Sequence, residues 1–139
     1  MIEFEFMIPG ADIVGFEYVA KSDADIASIK KALQTFENYE NIFTLPKNSR
    51  CQLTEKQVAL KEDEDEDDHD DHAEENHNEF YAKYSFECGD TKAINKIEFP
   101  YFSTFPNSGE LEVQFISSIG SVSFEVEAEE PSINIDGKI

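Results

Sequence analysis

The chain is predicted to fold as one α+β domain over residues 1–139, a mainly antiparallel β-sheet carrying one amphipathic helix and interrupted by a long acidic, His-containing loop at 62–79. Three observations predict this. Apolar and polar residues alternate with a period of two through most of the chain, which is the signature of half-buried strands. One segment alone switches to helical spacing. A run of carboxylates without a large apolar residue then separates two strand-like stretches, and such a run has nothing with which to join a core.

The elements follow in chain order. Ile2, Phe4 and Phe6 alternate with Glu3 and Glu5, giving an N-terminal strand with one apolar face. Ser22 followed three residues later by Asp25 reads as a capping-box-like helix start. Ile26, Ile29, Leu33 and Phe36 then repeat at helical spacing until about Asn38, and this stripe is expected to pack on the sheet as core. Cys51, Leu53, Val58 and Leu60 suggest a strand entering the acidic loop, and Phe80, Ala82, Tyr84, Phe86 and Cys88 one leaving it, with Tyr81, Lys83, Ser85 and Glu87 on its other face. Ile94, Ile97 and Phe99 make a short strand before Pro100. Leu111, Val113 and Phe115, then Val122, Phe124 and Val126, form a hairpin around Ser117 to Gly120. Pro46 and Pro106 punctuate loops, and no repeat of fixed period is present.

Residues 62–79, EDEDEDDHDDHAEENHNE, hold all three histidines of the chain and twelve acids, which supply −12 of the formal net charge of −20. So many like charges repel one another, and the segment is expected to stay disordered until cations bind. Carboxylate alone suits Ca, Mg and Mn, whereas neutral imidazole suits Zn, Cu and Ni, so His69, His72 and His77 tilt the choice toward zinc. A zinc ion takes four ligands, which three imidazoles and a neighbouring carboxylate such as Asp68, Asp70 or Asp71 would supply. His69 and His72 would share one face of a helical turn, while His77 must return from further along. The spacing lacks the compactness of a closed structural zinc site, so modest affinity and several exchanging ligand sets are expected. A solvated acidic spacer is the alternative reading. A helix-loop-helix calcium site is disfavoured because the segment contains no glycine.

Cys51 and Cys88 are expected to form a disulfide between the strands that flank the acidic insertion, near the base of the loop, which implies an oxidising compartment. Two buried free thiols, or thiolate ligands for the metal, are the competing readings. A bridge closing so long a loop is worth on the order of 4 kcal/mol in the chain-entropy account.

Composition bounds the function. The strongly acidic balance repels phosphate and so disfavours nucleic acid and anionic membranes as partners. No apolar run reaches the length of a membrane span. Met1 leads straight into a strand, so an export signal has either been removed or was never present. Catalysis is not expected, because every histidine lies in one charge run and no Ser/His/Asp or Cys/His arrangement is available.

Taken together, Ala11-Asp12-Ile13-Val14-Gly15-Phe16-Glu17, the helix, Ile42-Phe43-Thr44-Leu45-Pro46, Cys51, the His/Asp/Glu loop, Phe80-x-x-x-Tyr84-x-Phe86-x-Cys88, Phe105-Pro106 and Leu111-Glu112-Val113-Gln114 resemble the ZrgA-like family of bacterial periplasmic zinc-uptake accessory proteins. The resemblance covers nearly the whole chain. It implies residence in the periplasm of a Gram-negative bacterium, zinc binding through the histidine-bearing loop and assistance to a zinc importer, through a periplasmic zinc solute-binding protein as partner. Carried over to this sequence, it gives His69, His72 and His77 ligand roles. The loop is poorer in histidine and richer in carboxylate than is usual for that family. A domain whose acidic loop binds a basic partner without metal is the other function to weigh.

Overall fold

The computed structural model describes residues 1–16, 20–63 and 77–135. Strands β1 (Ile2–Pro9), β2 (Cys51–Asp63), β3 (His77–Cys88), β5 (Glu110–Ser117) and β6 (Gly120–Glu127) form one antiparallel sheet in the order β2-β3-β1-β5-β6. A second, two-stranded sheet pairs β4 (Lys96–Glu98) with β7 (Ser132–Asn134). Among the described residues there are three α-helices, α1 (Gly10–Ile13), α2 (Asp23–Glu37) and α3 (Tyr101–Thr104), and three 3-10 turns at Tyr39–Asn41, Lys47–Ser49 and Thr91–Ala93. The predicted α+β architecture is therefore present, with a strand, β7, and two single-turn helices that the periodicity did not announce.

The alternation read from the sequence becomes the two faces of the large sheet. Ile2, Phe4, Phe6 and Ile8 of β1, Phe80, Ala82, Tyr84 and Phe86 of β3, and Leu111, Val113 and Phe115 of β5 are buried on one face. Phe4 sits at the centre of an aromatic cluster, with ring centroids 4.4 Å from Phe43, 5.0 Å from Phe115 and 6.0 Å from Phe86. Such offset and edge contacts add to the burial of area. The opposite face carries Glu3, Glu5, Tyr81, Lys83, Glu112 and Glu125.

β2 explains an irregularity in its own pattern. Its apolar residues switch from odd positions, Cys51 and Leu53, to even ones, Val58 and Leu60, and a bulge between Leu53 and Glu55 supplies the extra residue. The bulge resets the side-chain parity, so that Leu53 opposes Phe86 and Val58 opposes Ala82 on the same face.

α2 begins where the capping signal predicted, with the Ser22 side chain accepting from the Asp25 backbone N–H at 3.1 Å. Ile29, Ala32 and Phe36 are buried, Leu33 is half-buried and Ile26 is 40% exposed. At about 100° per residue, Ile26 lies at the far margin of the stripe centred on the buried three, so the expected core role falls to Ala32 instead. The carbonyls of the last turn are tied to the sheet and its surroundings. Tyr84 Oη donates to Phe36 O at 2.6 Å, Lys56 Nζ to Glu37 O at 3.0 Å and Asn41 Nδ2 to Thr35 O at 3.0 Å. The Thr35 carbonyl also accepts from the Asn38 backbone N–H at 3.3 Å, and satisfaction of these last-turn carbonyls from beyond the helix fixes how its end sits.

Candidate metal centre

The β2–β3 hairpin is the frame of the acidic insertion. Pairing begins at Cys51 with Cys88 and continues to Asp63 with His77, so Glu62, Asp63, His77, Asn78 and Glu79 belong to strand backbone rather than to loop. Residues 64–76, with His69, His72, Asp68, Asp70 and Asp71, lie outside the described residues. His77 is placed by its backbone as the first residue of β3.

The disulfide between Cys51 and Cys88 is present, with Cα atoms 3.8 Å apart, and it leaves no free cysteine. That removes both the free-thiol reading and thiolate ligation. Its place differs from the expectation that it lies near the base of the loop. β2 is 13 residues long. At about 3.3 Å per residue the bridge therefore closes the hairpin roughly 40 Å from the acidic end.

The stem nearest the insertion is fastened by a close approach. Asn78 is fully buried, and a Cβ on Gly10 would collide with its side chain and come within 2.8 Å of the Phe16 carbonyl oxygen. Glycine at position 10 lets the start of α1 pass directly over β3 next to His77.

The register then brings carboxylates from β3 and from two further strands, β5 and β6, to the same end of the sheet. Glu79 opposes Pro9, Glu110 opposes Glu127 and Glu112 opposes Glu125. An open depression of about 450 Å³ is lined there by Met7, Pro9, Asp12, Glu79, Glu110 and Glu125 among others. Oxygens of Glu110, Glu125 and Glu127 lie within 4.8 Å of one another, and all three residues are exposed. The charge of Glu125, a hydrogen bond shared with it, and the charges of Glu127 and Asp12 hold the Glu110 carboxyl above the usual carboxylate range. Ser108 braces this corner. Its Oγ accepts from Tyr101 Oη at 2.9 Å and stands 2.9 Å from the Glu110 carbonyl and 3.3 Å from an Asp12 carboxylate oxygen, which share its single proton in turn.

The glutamate group was not singled out by sequence reasoning. Its signal was the alternation of Glu110 and Glu112 with Glu125 and Glu127 on strands predicted to form a hairpin, but only the exact register shows which acids face each other. Among the described residues, this is the one group of three or more His, Cys, Asp or Glu side chains close enough to share an ion.

The described residues form an antiparallel sheet with a disulfide-closed hairpin, into whose far end the acidic, His-bearing segment of the sequence is inserted. The chain matches the model of the ZrgA family of zinc uptake proteins over residues 1–135 and belongs to that family. No curated protein matches it. Membership connects the chain with zinc uptake and zinc with its chemistry. No helix among the described residues is long and apolar enough to cross a membrane.

Proposed function

We propose that this protein captures Zn²⁺ in the periplasm through His69, His72 and His77, completed by carboxylates of the same segment such as Asp68, Asp70 and Asp71, and supplies the ion to a zinc importer. The observation that carries this reading is the combination of family membership with a hairpin that places His77 at the acidic end of the sheet, where β2 and β3 bracket the sequence segment carrying His69 and His72. Imidazole provides selectivity for zinc over calcium and magnesium, while surrounding carboxylates concentrate the cation and offer exchangeable ligands. Exchangeable ligands suit a protein that must release its cargo. A periplasmic zinc solute-binding protein is the receiving partner in this reading.

The paired cysteines support export to an oxidising compartment. We also propose that the protein is not an enzyme, since its histidines fall within one segment and its cysteines are consumed in the disulfide. Titration of zinc into metal-free protein tests the reading. Saturable binding that weakens at least tenfold when His69, His72 and His77 are replaced together by Ala is the expected result. Weak association that disappears with added salt and ignores the histidines would instead identify a polyanionic segment for a basic partner.

A further inference from the structure

The two edges of the large sheet are treated differently. β2 carries devices that discourage pairing with another chain: a bulge at Leu53/Glu55, Lys56 held by the Glu37 side chain of α2 at 2.9 Å, and Lys61 folded over the Tyr81 ring at 4.5 Å. β6, at the other end of the strand order, has none of these among the described residues, and only at its last residue does the chain turn back over the edge, the Glu130 N–H donating to Glu127 O at 3.0 Å. Its sequence GSVSFEVE contains no lysine and no proline, and it pairs with β5 at all eight positions without a bulge. A strand at the end of a sheet presents alternate N–H and C=O groups outward, and an unguarded one is a template for a further strand.

The side chains of β6 specify what that strand would carry. Ser121, Ser123, Glu125 and Glu127 are exposed along one face, while Val122 and Phe124 are half-buried along the other. Glu112 faces Glu125 and Glu110 faces Glu127 across the β5–β6 ladder, an arrangement of like charges that costs stability unless a cation lies beside it. A neighbouring strand with lysine or arginine opposite Ser123 and Glu125, within reach of Glu127 on the same face, would provide that charge. A second copy of this chain would not, because each copy carries −20.

We propose that β6, over residues 121–125, is a docking edge for an extended segment of a partner protein in which basic residues alternate with apolar ones, the bases lying against Ser123 and Glu125 within reach of Glu127 and the apolar residues continuing the row of Val122 and Phe124. Backbone pairing supplies affinity and the glutamate row supplies register.

The probe is a short acetylated peptide of alternating lysine and valine, followed by fluorescence anisotropy with the full-length protein. Glu125→Lys combined with Glu127→Lys, which leaves the segment 64–76 intact, should weaken binding about tenfold or more. Methylating the peptide's backbone nitrogens at one set of alternate residues should abolish binding, while methylating the other set should spare it. Amide exchange should slow at residues 121, 123 and 125 when the peptide is bound. The proposal is overturned if the double variant binds as well as the parent, if both methylated peptides bind alike, or if the protein already sediments as a dimer through this edge.

Discussion

Tyr84 links helix and sheet through a single hydroxyl, and its burial, reinforced by the charge of Glu37, pushes the phenol well above its ordinary pKa. It therefore stays a donor to Phe36 O across the whole physiological range. Tyr84→Phe removes that donor and should cost about 1–3 kcal/mol, measurable as a lower urea midpoint with an unchanged slope. An unchanged midpoint would mean that the helix end is held by its other anchors. Glu110 makes the opposite case. Its carboxyl is raised by Glu125 first and by Glu127 and Asp12 after it, so the folded state favours its protonated form. The cost of its charge is absent below the ordinary glutamate range near about 4.3 and is felt as pH rises through the higher folded value. Glu110→Gln should accordingly raise the melting temperature at pH 7, and the gain should shrink at pH 4 and in high salt. A variant that melts below the parent at pH 7 would show that Glu110 is already compensated there.

At the scale of elements, the β2–β3 hairpin is closed by the disulfide at one end and fastened by Asn78 against Gly10 at the other. Replacing residues 64–76 by a two-residue Asn-Gly turn between the paired Asp63 and His77 should leave cooperative unfolding intact. Loss of cooperativity would show that the segment is structural. Gly10→Ala, by contrast, forces Asn78 or the Phe16 carbonyl to move and should destabilise by about 1–3 kcal/mol in a denaturant titration, although it lies outside the acidic segment.

Much of this level was legible in the sequence, and the reasons are physical. β1, β3, β5 and β6 alternate cleanly because one face is core and the other is solvent, and α2 carried both a cap and a stripe. β7 has only three residues, Ser132–Asn134, too few for a period to register, and its pairing with β4 is decided by distant chain reversals. α1 and α3 are single turns whose ends are set by contacts such as Gly10 on Asn78 rather than by local propensity. The cysteine pair was readable, but its distance from the acidic end was not, because that depends on how far β2 and β3 continue past the obvious apolar residues. The glutamate depression was hidden for the same reason: its members come from β1's flank, β3, β5 and β6, and only register assembles them.

For the molecule as a whole, the uneven distribution of charge is the organising feature. Glu62 and Asp63 at the end of β2 and the glutamates of the depression lie toward the same end of the sheet, while the disulfide lies at the other end of the β2–β3 hairpin. In the proposed function such a field draws divalent cations to that end, and imidazoles then decide which cation stays. Because imidazole binds metal only when deprotonated, protons compete with zinc through the range around about 6.5. The most direct measurement is calorimetric titration of zinc into the metal-free protein at pH 7.5 and pH 5.5, in parallel with the variant carrying Ala at His69, His72 and His77. Zinc capture by these histidines predicts saturable binding at pH 7.5 with proton release, weaker binding at pH 5.5, and a triple variant that loses both the affinity and its pH dependence while keeping its weak hold on calcium. A triple variant that binds zinc as tightly as the parent at pH 7.5 would contradict it.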